Sequence, residues 1–504
     1  MFQKIFSLSL NRLHPEPVTI EVDILSGMPY INLLGLPDSA SRRIRERLRS
    51  ALVSCGLPFP ARRITINLVA PHHLLSSEGL ELPIAMGLLC AQQILPVRLN
   101  RSVLVIGGLS LNGDVLPVSG LSGMVSASLP QILQLGFQKL IVPRECAPEL
   151  SHLSGIKIIP VDTLSEACSY WKDPSMIPPF EYHPLQRQRP SLEPLLAIQG
   201  QLIAKRALAV TCAGYHNLLL CGPPGCGKTL LAGAAASLLP LPDDQEILRI
   251  LPFQDLSGAM QDHVLYRPVR RPHHSISTHA LIGGGTPVLP GELTLADAGL
   301  LILDEIAEFP RNVLENLRQP LESHTVRLSY LGETRVFPAD FIMIATMNLC
   351  PCGHFPNEEL CTCRPSAIRR YQARLGFPLL ERIELGLTLE NTPDGAPCLT
   401  LSEAEHMRSE IENAAEIQKD RYQKESFYYN SRLPAEKISL YCPLSQEAGI
   451  LLDQAVSHFH LSLRTRHNII KTARTIADLA GSETILDEHL AEALQYRPRG
   501  FVEG

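Results

Sequence analysis

The sequence lacks any run of 18 apolar residues, and its first residues lack the apolar segment of a secretory signal peptide. The first absence argues against a membrane-spanning helix, and the second predicts a cytoplasmic protein. An excess of positive charge is also missing, because 45 lysines and arginines stand against 51 aspartates and glutamates, a net charge of −6. A general attraction to nucleic acid is therefore excluded, and contact with DNA needs a local basic surface.

Aromatic residues form only 5% of the chain, but apolar residues reach 45% and charged residues 19%, as is typical of globular proteins. The 504 residues are enough for about three domains. The 13 cysteines are an odd number spread over the whole chain. This distribution predicts reduced thiols rather than a framework of disulfides.

The most specific motif is a phosphate-binding loop, because the pattern G-x-x-x-x-G-K-[ST] runs from Gly222 to Thr229 between an apolar strand and a helix-forming segment. Its glycines let successive backbone N–H groups turn toward a phosphate, at the positive end of the following helix. We expect Lys228 to reach the β- and γ-phosphates of ATP and the Thr229 hydroxyl to bind Mg²⁺. The alternative is a glycine turn beside an unrelated lysine. The predicted nucleotide-binding residues are Gly222, Pro223, Pro224, Gly225, Cys226, Gly227, Lys228, Thr229 and Leu230.

Two further apolar runs predict buried strands of a parallel sheet, whose carboxyl ends are where ligands bind. The first run ends in Asp304 and Glu305, which lie 76 and 77 residues after Lys228. We expect Asp304 to hold Mg²⁺ through water and Glu305 to polarise the attacking water. The second run, residues 341–346, leads to Asn348, whose amide is expected to orient that water.

Four of the cysteines fall within 14 residues, at Cys350, Cys352, Cys361 and Cys363. Four thiols at short spacing in a reducing compartment predict a tetrahedral zinc site that holds together a loop with little core of its own. The C-x-C-x₈-C-x-C spacing differs from the usual C-x₂-C, so unligated thiols remain the alternative. His354 is a possible substitute ligand.

Two arginines are candidates for contact with the triphosphate. Arg382 stands where ring ATPases present an arginine to the γ-phosphate of the neighbouring subunit, a contact worth about 10³ to 10⁵ in rate. The alternative for Arg382 is a salt bridge with Glu381 or Glu384.

The second arginine, Arg464, lies in a predicted helix over residues 462–479. Arg464, His467, Lys471 and Arg474 share one face of this helix, and apolar residues share the other. We expect the helix to bury its apolar face and to offer cations from the opposite face, with Arg464 as a second phosphate sensor. A solvated basic face is the alternative.

Residues 1–173 contain an order of elements that resembles the proteolytic domain of Lon proteases, with matches over residues 77–86, 113–121 and 140–143. Lon needs a serine nucleophile and a lysine base. Aligned without gaps, these positions fall on Glu81 and Met124, and neither side chain can take the corresponding role. The resemblance therefore implies the Lon-like fold without peptidase activity.

Taken together, the motifs resemble the ComM/YifB family of magnesium-chelatase-like AAA+ proteins over almost the whole chain. Besides the motifs above, the resemblance rests on Gly35-Leu-Pro-Asp38, Pro272-His-His-Ser275, Gly283-Gly-Gly285, Leu317-Arg-Gln-Pro-Leu-Glu322 and Leu379-Leu-Glu-Arg-Ile383. It implies a homohexameric ring driven by ATP and Mg²⁺. It also implies a DNA helicase that promotes branch migration during natural transformation, with recombination proteins as possible partners.

The fold class expected is α/β, with four segments along the chain. These are a Lon-protease-like domain (ribosomal S5 domain 2-like) over residues 1–173, a proline-rich linker over 174–194, an AAA+ core over 195–395 and a helical lid over 396–504. We expect single-stranded or branched DNA to pass through the pore, near the glycine-rich residues 281–292 and a hairpin over residues 324–337.

Three other functions remain to be weighed. The AAA+ core also resembles the motor of a metal chelatase, which acts on a protein partner. An ATP-dependent protease is disfavoured by Glu81 and Met124. A scaffold without hydrolysis is disfavoured because every residue expected for hydrolysis is present.

Overall fold

The structure is a computed structural model that describes residues 2–9, 16–70, 78–96, 102–256, 264–285, 288–330, 333–357, 359–393 and 395–498. The chain divides into two compact units, the first formed by residues 1–186 with 247–265, the second by residues 187–246 with 266–504. The α/β fold class expected from the sequence is confirmed. The four-segment division remains a prediction.

A seven-stranded mixed sheet forms the frame of the first unit, in the order β3-β4-β2-β1-β5-β8-β9. Strand β2 has alternating apolar residues because it buries one face, with the side chains of Val18, Ile20, Val22 and Ile24. Strands β5, β8 and β9 are instead buried over almost all of their residues. The strands are β1 (Phe2–Ser9), β2 (Glu16–Leu25), β3 (Tyr30–Leu34), β4 (Arg63–Val69), β5 (Val103–Val105), the hairpin strands β6 (Gly108–Leu109) and β7 (Val115–Leu116), β8 (Lys139–Pro143) and β9 (Lys157–Val161).

The helices of the first unit differ in how far they are buried. One side of α1 is buried, whereas every residue of α2 is buried, in keeping with its nearly uniform apolar sequence. The helices are α1 (Asp38–Ser54), α2 (Glu81–Ala91), α3 (Leu121–Gln134), α4 (Ala147–Leu150) and α5 (Leu164–Lys172), with a 3₁₀ turn at Arg144–Cys146.

The two positions that an ungapped alignment places on the catalytic pair of Lon, Glu81 and Met124, are both buried. Glu81 is the first residue of α2, and its Oε1 atom lies 3.3 Å from Nη1 of Arg47. Burial raises the pKa of the Glu81 carboxyl. Met124 packs in the apolar core formed around α3. The absence of peptidase activity remains a prediction, and the chemistry of these two side chains supports it.

A five-stranded, entirely parallel sheet forms the core of the second unit, in the order β13-β16-β19-β11-β20. Its central strands are buried on both faces, which explains their unbroken apolar sequences. The remaining strands of the chain are β10 (Gln186–Arg187), β11 (Leu218–Cys221), β12 (Val264–Leu265), β13 (Val269–Arg270), β14 (Gly283–Gly284), β15 (Leu289–Pro290), β16 (Leu300–Leu303), β17 (Thr325–Tyr330), β18 (Glu333–Pro338), β19 (Ile342–Met347) and β20 (Leu385–Thr388).

Helices surround this sheet and continue as a helical bundle to the end of the described chain. In the bundle, α7 packs against α16 and α19, and α19 packs against α20. The remaining helices of the described chain, of which α9 lies mostly in the first unit, are α6 (Glu193–Leu196), α7 (Leu202–Gly214), α8 (Lys228–Ala234), α9 (Asp244–Leu256), α10 (Thr278–Ile282), α11 (Glu292–Leu295), α12 (Arg311–Asn316), α13 (Pro320–Ser323), α14 (Pro365–Gln372), α15 (Phe377–Leu380), α16 (Leu401–Arg421), α17 (Ile438–Tyr441), α18 (Gln446–Phe459), α19 (Leu463–Leu479) and α20 (Asp487–Gln495).

Two segments before and after β16 differ from simple sequence expectation. The amphipathic pattern of residues 311–322 predicts one helix, but the chain forms α12 and α13 with a break before Pro320, which has no N–H to continue the helix. The glycine-rich residues 281–292 contain the short antiparallel pair β14–β15 between α10 and α11, and residues 286 and 287 lie outside the described part.

The expectation that α19 offers four cations from one open face is wrong. Arg474 is fully buried and lies 2.9 Å from Asp478 on the same helix, while Lys471 donates a hydrogen bond to the carbonyl of Ser431. Neighbouring elements cover this face, so two of the predicted cations are structural. Arg464, near the start of the helix, remains partly exposed.

Removing the buried carboxylate at this point is expected to destabilise the second unit. Asp478 accepts hydrogen bonds from Arg421 at 2.9 Å and 2.5 Å, from Arg474 at 3.1 Å and from Asn430 at 2.8 Å. Asp478→Ala leaves the fully buried guanidinium of Arg474 and the partly buried one of Arg421 without their counter-charge, and breaking a buried ion pair costs about 3–5 kcal/mol. The second unit should therefore unfold at a lower denaturant concentration than in the wild-type protein.

The matched control is Asp453→Ala. Asp453 is 78% exposed and lies 3.8 Å from Arg466, so its removal should change stability by less than about 0.5 kcal/mol. Equal unfolding midpoints for the Asp478 and Asp453 variants would contradict the structural role of the buried pair.

Candidate nucleotide-binding site

The phosphate-binding loop, the acid pair and Asn348 meet at one edge of the parallel sheet. The loop follows β11, the acid pair follows β16, and Asn348 follows β19. In the sheet β19 lies between β16 and β11, and all three strands run in the same direction. Their carboxyl ends therefore place these residues side by side, as in other open α/β sheets.

Glycine conformation shapes the phosphate-binding loop. Gly225 and Gly227 have φ angles of +80° and +90°, which favour glycine, and a Cβ atom on either would meet only open space. Open space beside a turned backbone is what a bound phosphate requires. Gln201 anchors the loop from outside, because its Nε2 atom donates to the carbonyl of Cys226 at 3.3 Å and to that of Glu390 at 2.8 Å.

Lys228 and Thr229 occupy the start of α8 in different ways. The Lys228 ammonium group is buried and donates hydrogen bonds to the carbonyls of Gly222 at 2.9 Å and Pro223 at 2.7 Å. The Thr229 hydroxyl donates to Asp304, with distances of 2.9 Å and 3.1 Å to the two carboxylate oxygens. A hydroxyl beside a carboxylate is the oxygen donor set that suits Mg²⁺, so the residues fit a bound Mg²⁺–nucleotide.

The hydroxyl of Thr346 joins the two acids. It donates to Oδ1 of Asp304 at 2.6 Å and accepts a hydrogen bond from the backbone N–H of Glu305 at 2.9 Å. Glu305 is exposed and has a φ of +52°, a left-handed conformation that is costly for a residue with a side chain. Such strain is common at functional sites, where the surrounding structure holds it in place.

Two other side chains of the site carry no recognisable motif. Arg271 directs Nη2 toward the carbonyl of Thr229 at 3.4 Å and toward Oδ2 of Asp304 at 3.8 Å, which adds a cation beside the acid pair. Thr346 lies inside an apolar strand. The sequence pattern indicates neither residue as part of the site, because only the order of the strands brings them there.

The four cysteines of the predicted zinc site lie together, with all sulfur atoms within 4.8 Å of one another. Cys350 Sγ is 3.4 Å from Cys352 Sγ and 3.8 Å from Cys361 Sγ, and Cys352 Sγ is 3.7 Å from Cys361 Sγ. Four sulfurs at about 2.3 Å from a tetrahedral zinc would be about 3.8 Å apart, so the cluster fits zinc. A hydrogen bond from the backbone N–H of His354 lowers the pKa of the Cys352 thiol to about 6.

The cysteine loop, residues 350–363, contacts the phosphate-binding loop. Gly353 packs so closely on the ring of Pro224 that an added Cβ would lie 2.5 Å from Cγ of that proline. The loop also begins two residues after Asn348, which is half-buried. A metal in this cluster would therefore support two parts of the nucleotide-binding site.

Arg382 and Arg464 lie together, and neither has a polar contact with the phosphate-binding loop within the described residues. Arg382 forms an ion pair with Glu322 and donates a hydrogen bond to the carbonyl of Pro378 at 2.5 Å. Arg464 lies 3.5 Å from the other oxygen of Glu322. The partner of Arg382 is thus neither Glu381 nor Glu384, the two partners considered from the sequence.

The predicted hairpin is present as the antiparallel pair β17–β18, in which Arg327 pairs with Val336 and Leu328 pairs with Arg335. Arg327 is exposed. The turn residues Leu331 and Gly332 lie outside the described part of the chain.

Comparisons with known proteins cover nearly all of both units. Residues 194–396 match the family model described as magnesium chelatase, subunit ChlI, residues 402–497 match its C-terminal model, and residues 20–146 match the model for subunit ChlI of Mg-chelatase. YifB of Escherichia coli is 36% identical over 492 residues, which are 95% of this chain and 94% of YifB. Competence protein ComM of Haemophilus influenzae is 37% identical over 493 residues, with the same two shares.

Part of the chain is also similar to proteases. An archaeal Lon protease of Archaeoglobus fulgidus is 25% identical over 143 residues, which are 26% of this chain and 22% of that protein. Fold and site together define an AAA+ P-loop protein of the magnesium-chelatase type, joined to a Lon-like unit. Within that class, the chain belongs to the ComM/YifB family. Within the described residues, no helix combines the length and the apolar character needed to cross a membrane.

Proposed function

We propose that this protein is an ATP hydrolase that assembles as a homohexameric ring and drives DNA through the pore of that ring. The observation that carries the proposal is the hydrogen-bonded set of Thr229, Asp304 and Thr346, which joins the phosphate-binding loop to the acid pair. Proteins of this class catalyse phosphoryl transfer mainly by positioning the reacting groups and stabilising charge, and little covalent chemistry is left for the protein to do. One relative is named a competence protein. Branch migration of recombination intermediates during natural transformation is the corresponding role that we propose here.

Each proposed role follows from the position of a side chain. Bound ATP with Mg²⁺ supplies the phosphoryl group and the metal charge that stabilises its transfer. Lys228 and the backbone N–H groups of the loop hold the triphosphate, and Thr229 and Asp304 hold the metal. Glu305 accepts the proton of the attacking water, and Asn348 orients that water.

Two arginines complete the proposed site. Arg382 acts on the γ-phosphate bound by the neighbouring subunit, and Arg464 acts as a second phosphate sensor. Because each site needs groups from two copies of the chain, hydrolysis depends on assembly.

A few cations per subunit are enough for the proposed grip on DNA, because the ring repeats them. On the described strands of the hairpin, Arg327 is exposed and Arg335 lies two positions into β18. Both are proposed phosphate contacts. The strand register places these two arginines on opposite faces of the hairpin, so each is proposed as a separate local contact. Local cations of this kind are compatible with the overall charge of −6.

A strand-exchange assay on a labelled four-way DNA junction tests the proposal directly. With ATP, the wild-type protein should separate the junction and should hydrolyse ATP faster when DNA is present. Lys228→Ala and Glu305→Gln should abolish both activities. A wild-type protein that neither unwinds any forked or four-way junction nor responds to DNA would contradict the DNA-motor role.

A second candidate function is the motor of a metal chelatase, because all three matched family models bear that description. Such a motor hydrolyses ATP but acts on a protein partner. The same hydrolysis assay separates the two candidates, since DNA would then leave the rate unchanged while the intrinsic activity persists.

We also propose that the four cysteines hold one zinc ion. Metal analysis of the purified protein should give about one zinc per chain, falling to near zero in Cys361→Ser. That variant should unfold at lower temperature, because the loop of residues 350–363 loses its cross-link. It should also hydrolyse ATP more slowly, because Gly353 of this loop packs against Pro224.

The matched control for the zinc site is Cys398→Ser. Cys398 is an exposed thiol outside the cluster, so its replacement should leave the zinc content and the unfolding temperature unchanged. Near-zero zinc in the wild type, with unaltered stability in Cys361→Ser, would remove the zinc assignment.

A further inference from the structure

One carboxylate joins the two arginines that the proposed function uses. Glu322 pairs through Oε2 with the Arg382 guanidinium and through Oε1 with that of Arg464 at 3.5 Å. Glu322 is the third residue of the short helix α13, 60 residues before Arg382 and 142 residues before Arg464. Three separate elements therefore meet at this carboxylate.

The backbone around the arginines is fixed independently of Glu322. Asn468 of α19 donates a hydrogen bond to the carbonyl of Glu381 at 3.1 Å, and the hydroxyl of Ser462 donates to its carboxylate at 3.2 Å. These bonds tie the start of α19, which carries Arg464, to the segment that carries Arg382. The carbonyl of Arg382 in turn accepts a bond from Asn217 at 3.0 Å.

Electrostatics explains what Glu322 adds to this frame. Two guanidinium groups brought to one place repel each other, and a carboxylate between them removes most of that cost. The ion pair with Arg382 is the main cause that lowers the pKa of the Glu322 carboxyl. Arg382 is only 14% exposed, and its Nε atom has no hydrogen-bond acceptor within the described residues. Because this Nε–H is buried, a ligand from outside the subunit has to reach Arg382 through its two terminal nitrogens, which contact Glu322 and the carbonyl of Pro378.

We propose that Glu322 is a positioning residue that holds Arg382 and Arg464 as one cationic pair for the triphosphate bound by a second copy of this chain. The inference rests on the proposed function and extends it in two ways. It assigns a role to Glu322, and it places Arg464 on the same side of the subunit interface as Arg382. A charged triphosphate outcompetes a single carboxylate for two guanidinium groups, so the pair can act on it without being dispersed.

The first test compares Glu322→Gln with Glu315→Gln. Glu315 is a surface acid of α12 whose partner is Arg311 at 3.1 Å, so its replacement removes a similar charge from a neighbouring element. Glu322→Gln should lower kcat for ATP hydrolysis by at least about 10-fold, because both arginines lose their common partner. Affinity for a fluorescent ATP analogue and the unfolding temperature should match those of Glu315→Gln, since the nucleotide loop is untouched.

Mixing subunits separates positioning in trans from a local structural effect. Glu305→Gln subunits are expected to bind ATP without hydrolysing it and to keep an intact arginine pair. Glu322→Gln subunits are expected to keep an intact Glu305 but to hold the arginine pair incorrectly. The ATP hydrolysis rate of a 1:1 mixture should be at least about fivefold higher than the sum of the rates of the same two amounts assayed separately. The reason is that the Glu305→Gln subunit supplies its arginine pair to the site of the Glu322→Gln subunit.

The outcomes are distinguishable from one another. No gain on mixing would overturn the inference, and so would a Glu322→Gln variant that is as active as wild type or more active. A wild-type protein without ATP hydrolysis would instead refute the proposed function, before the role of Glu322 arises.

Discussion

Replacing Arg382 by alanine is expected to slow ATP hydrolysis by the assembled protein by about 10³-fold, while each subunit still binds nucleotide. Arg382 has no hydrogen bond or ion pair with its own phosphate-binding loop among the residues described, so nucleotide affinity should change little. The rate falls because the γ-phosphate of the neighbour loses a cation at the moment when charge develops on it. Steady-state hydrolysis and titration with a fluorescent ATP analogue measure the two quantities separately.

Arg311→Ala is the matched control for this prediction. Arg311 is 87% exposed on α12 and forms a surface ion pair, so its removal should leave kcat within about twofold of wild type. Two results would contradict the assignment of Arg382. One is an Arg382→Ala variant with a rate within about threefold of wild type, and the other is a loss of nucleotide affinity as large as the loss of rate.

The parts of the fold that depend on contiguous residues could be predicted from the sequence. The phosphate-binding loop is one run from Gly222 to Thr229, and the apolar runs before Asp304 and Asn348 have the composition of strands buried on both faces. These signals were enough for the α/β class and for the family, and both are confirmed. The hydrogen bond between Thr229 and Asp304 joins residues 75 positions apart, yet strand direction alone predicts that they are close.

Other parts of the site depend on which elements become neighbours, and a single sequence does not contain that information. In the sequence, Thr346 is a single polar residue in an apolar strand, and its role is visible only because β19 lies beside β16. Glu322 has the sequence context of a surface acid, and its role is visible only because α19 and the segment after α15 both contact it. The same limit produced the error at Arg474, because helical periodicity shows which residues share a face but not which element covers that face.

Lys228→Ala is expected to lower ATP affinity by at least about 100-fold and to reduce hydrolysis below detection. Lys228 is the only positively charged residue of the sequence Gly222–Thr229, and no other side chain of this loop can replace its charge. In the structure its ammonium group lies against the carbonyls of Gly222 and Pro223. These contacts are local, and a bound triphosphate offers oxygens of higher charge in their place.

The control for Lys228 is Lys424→Ala, which removes an exposed lysine of the helical bundle and should alter neither affinity nor rate. Folding provides a second control. Alanine leaves two loop carbonyls without a donor, which costs about 1–3 kcal/mol where such groups are buried, so the variant should remain folded at assay temperature. A folded Lys228→Ala protein that hydrolyses ATP within tenfold of the wild-type rate would show that catalysis does not depend on this loop. It would also contradict the proposed active site shared between subunits, because this loop is the part of that site that binds the triphosphate.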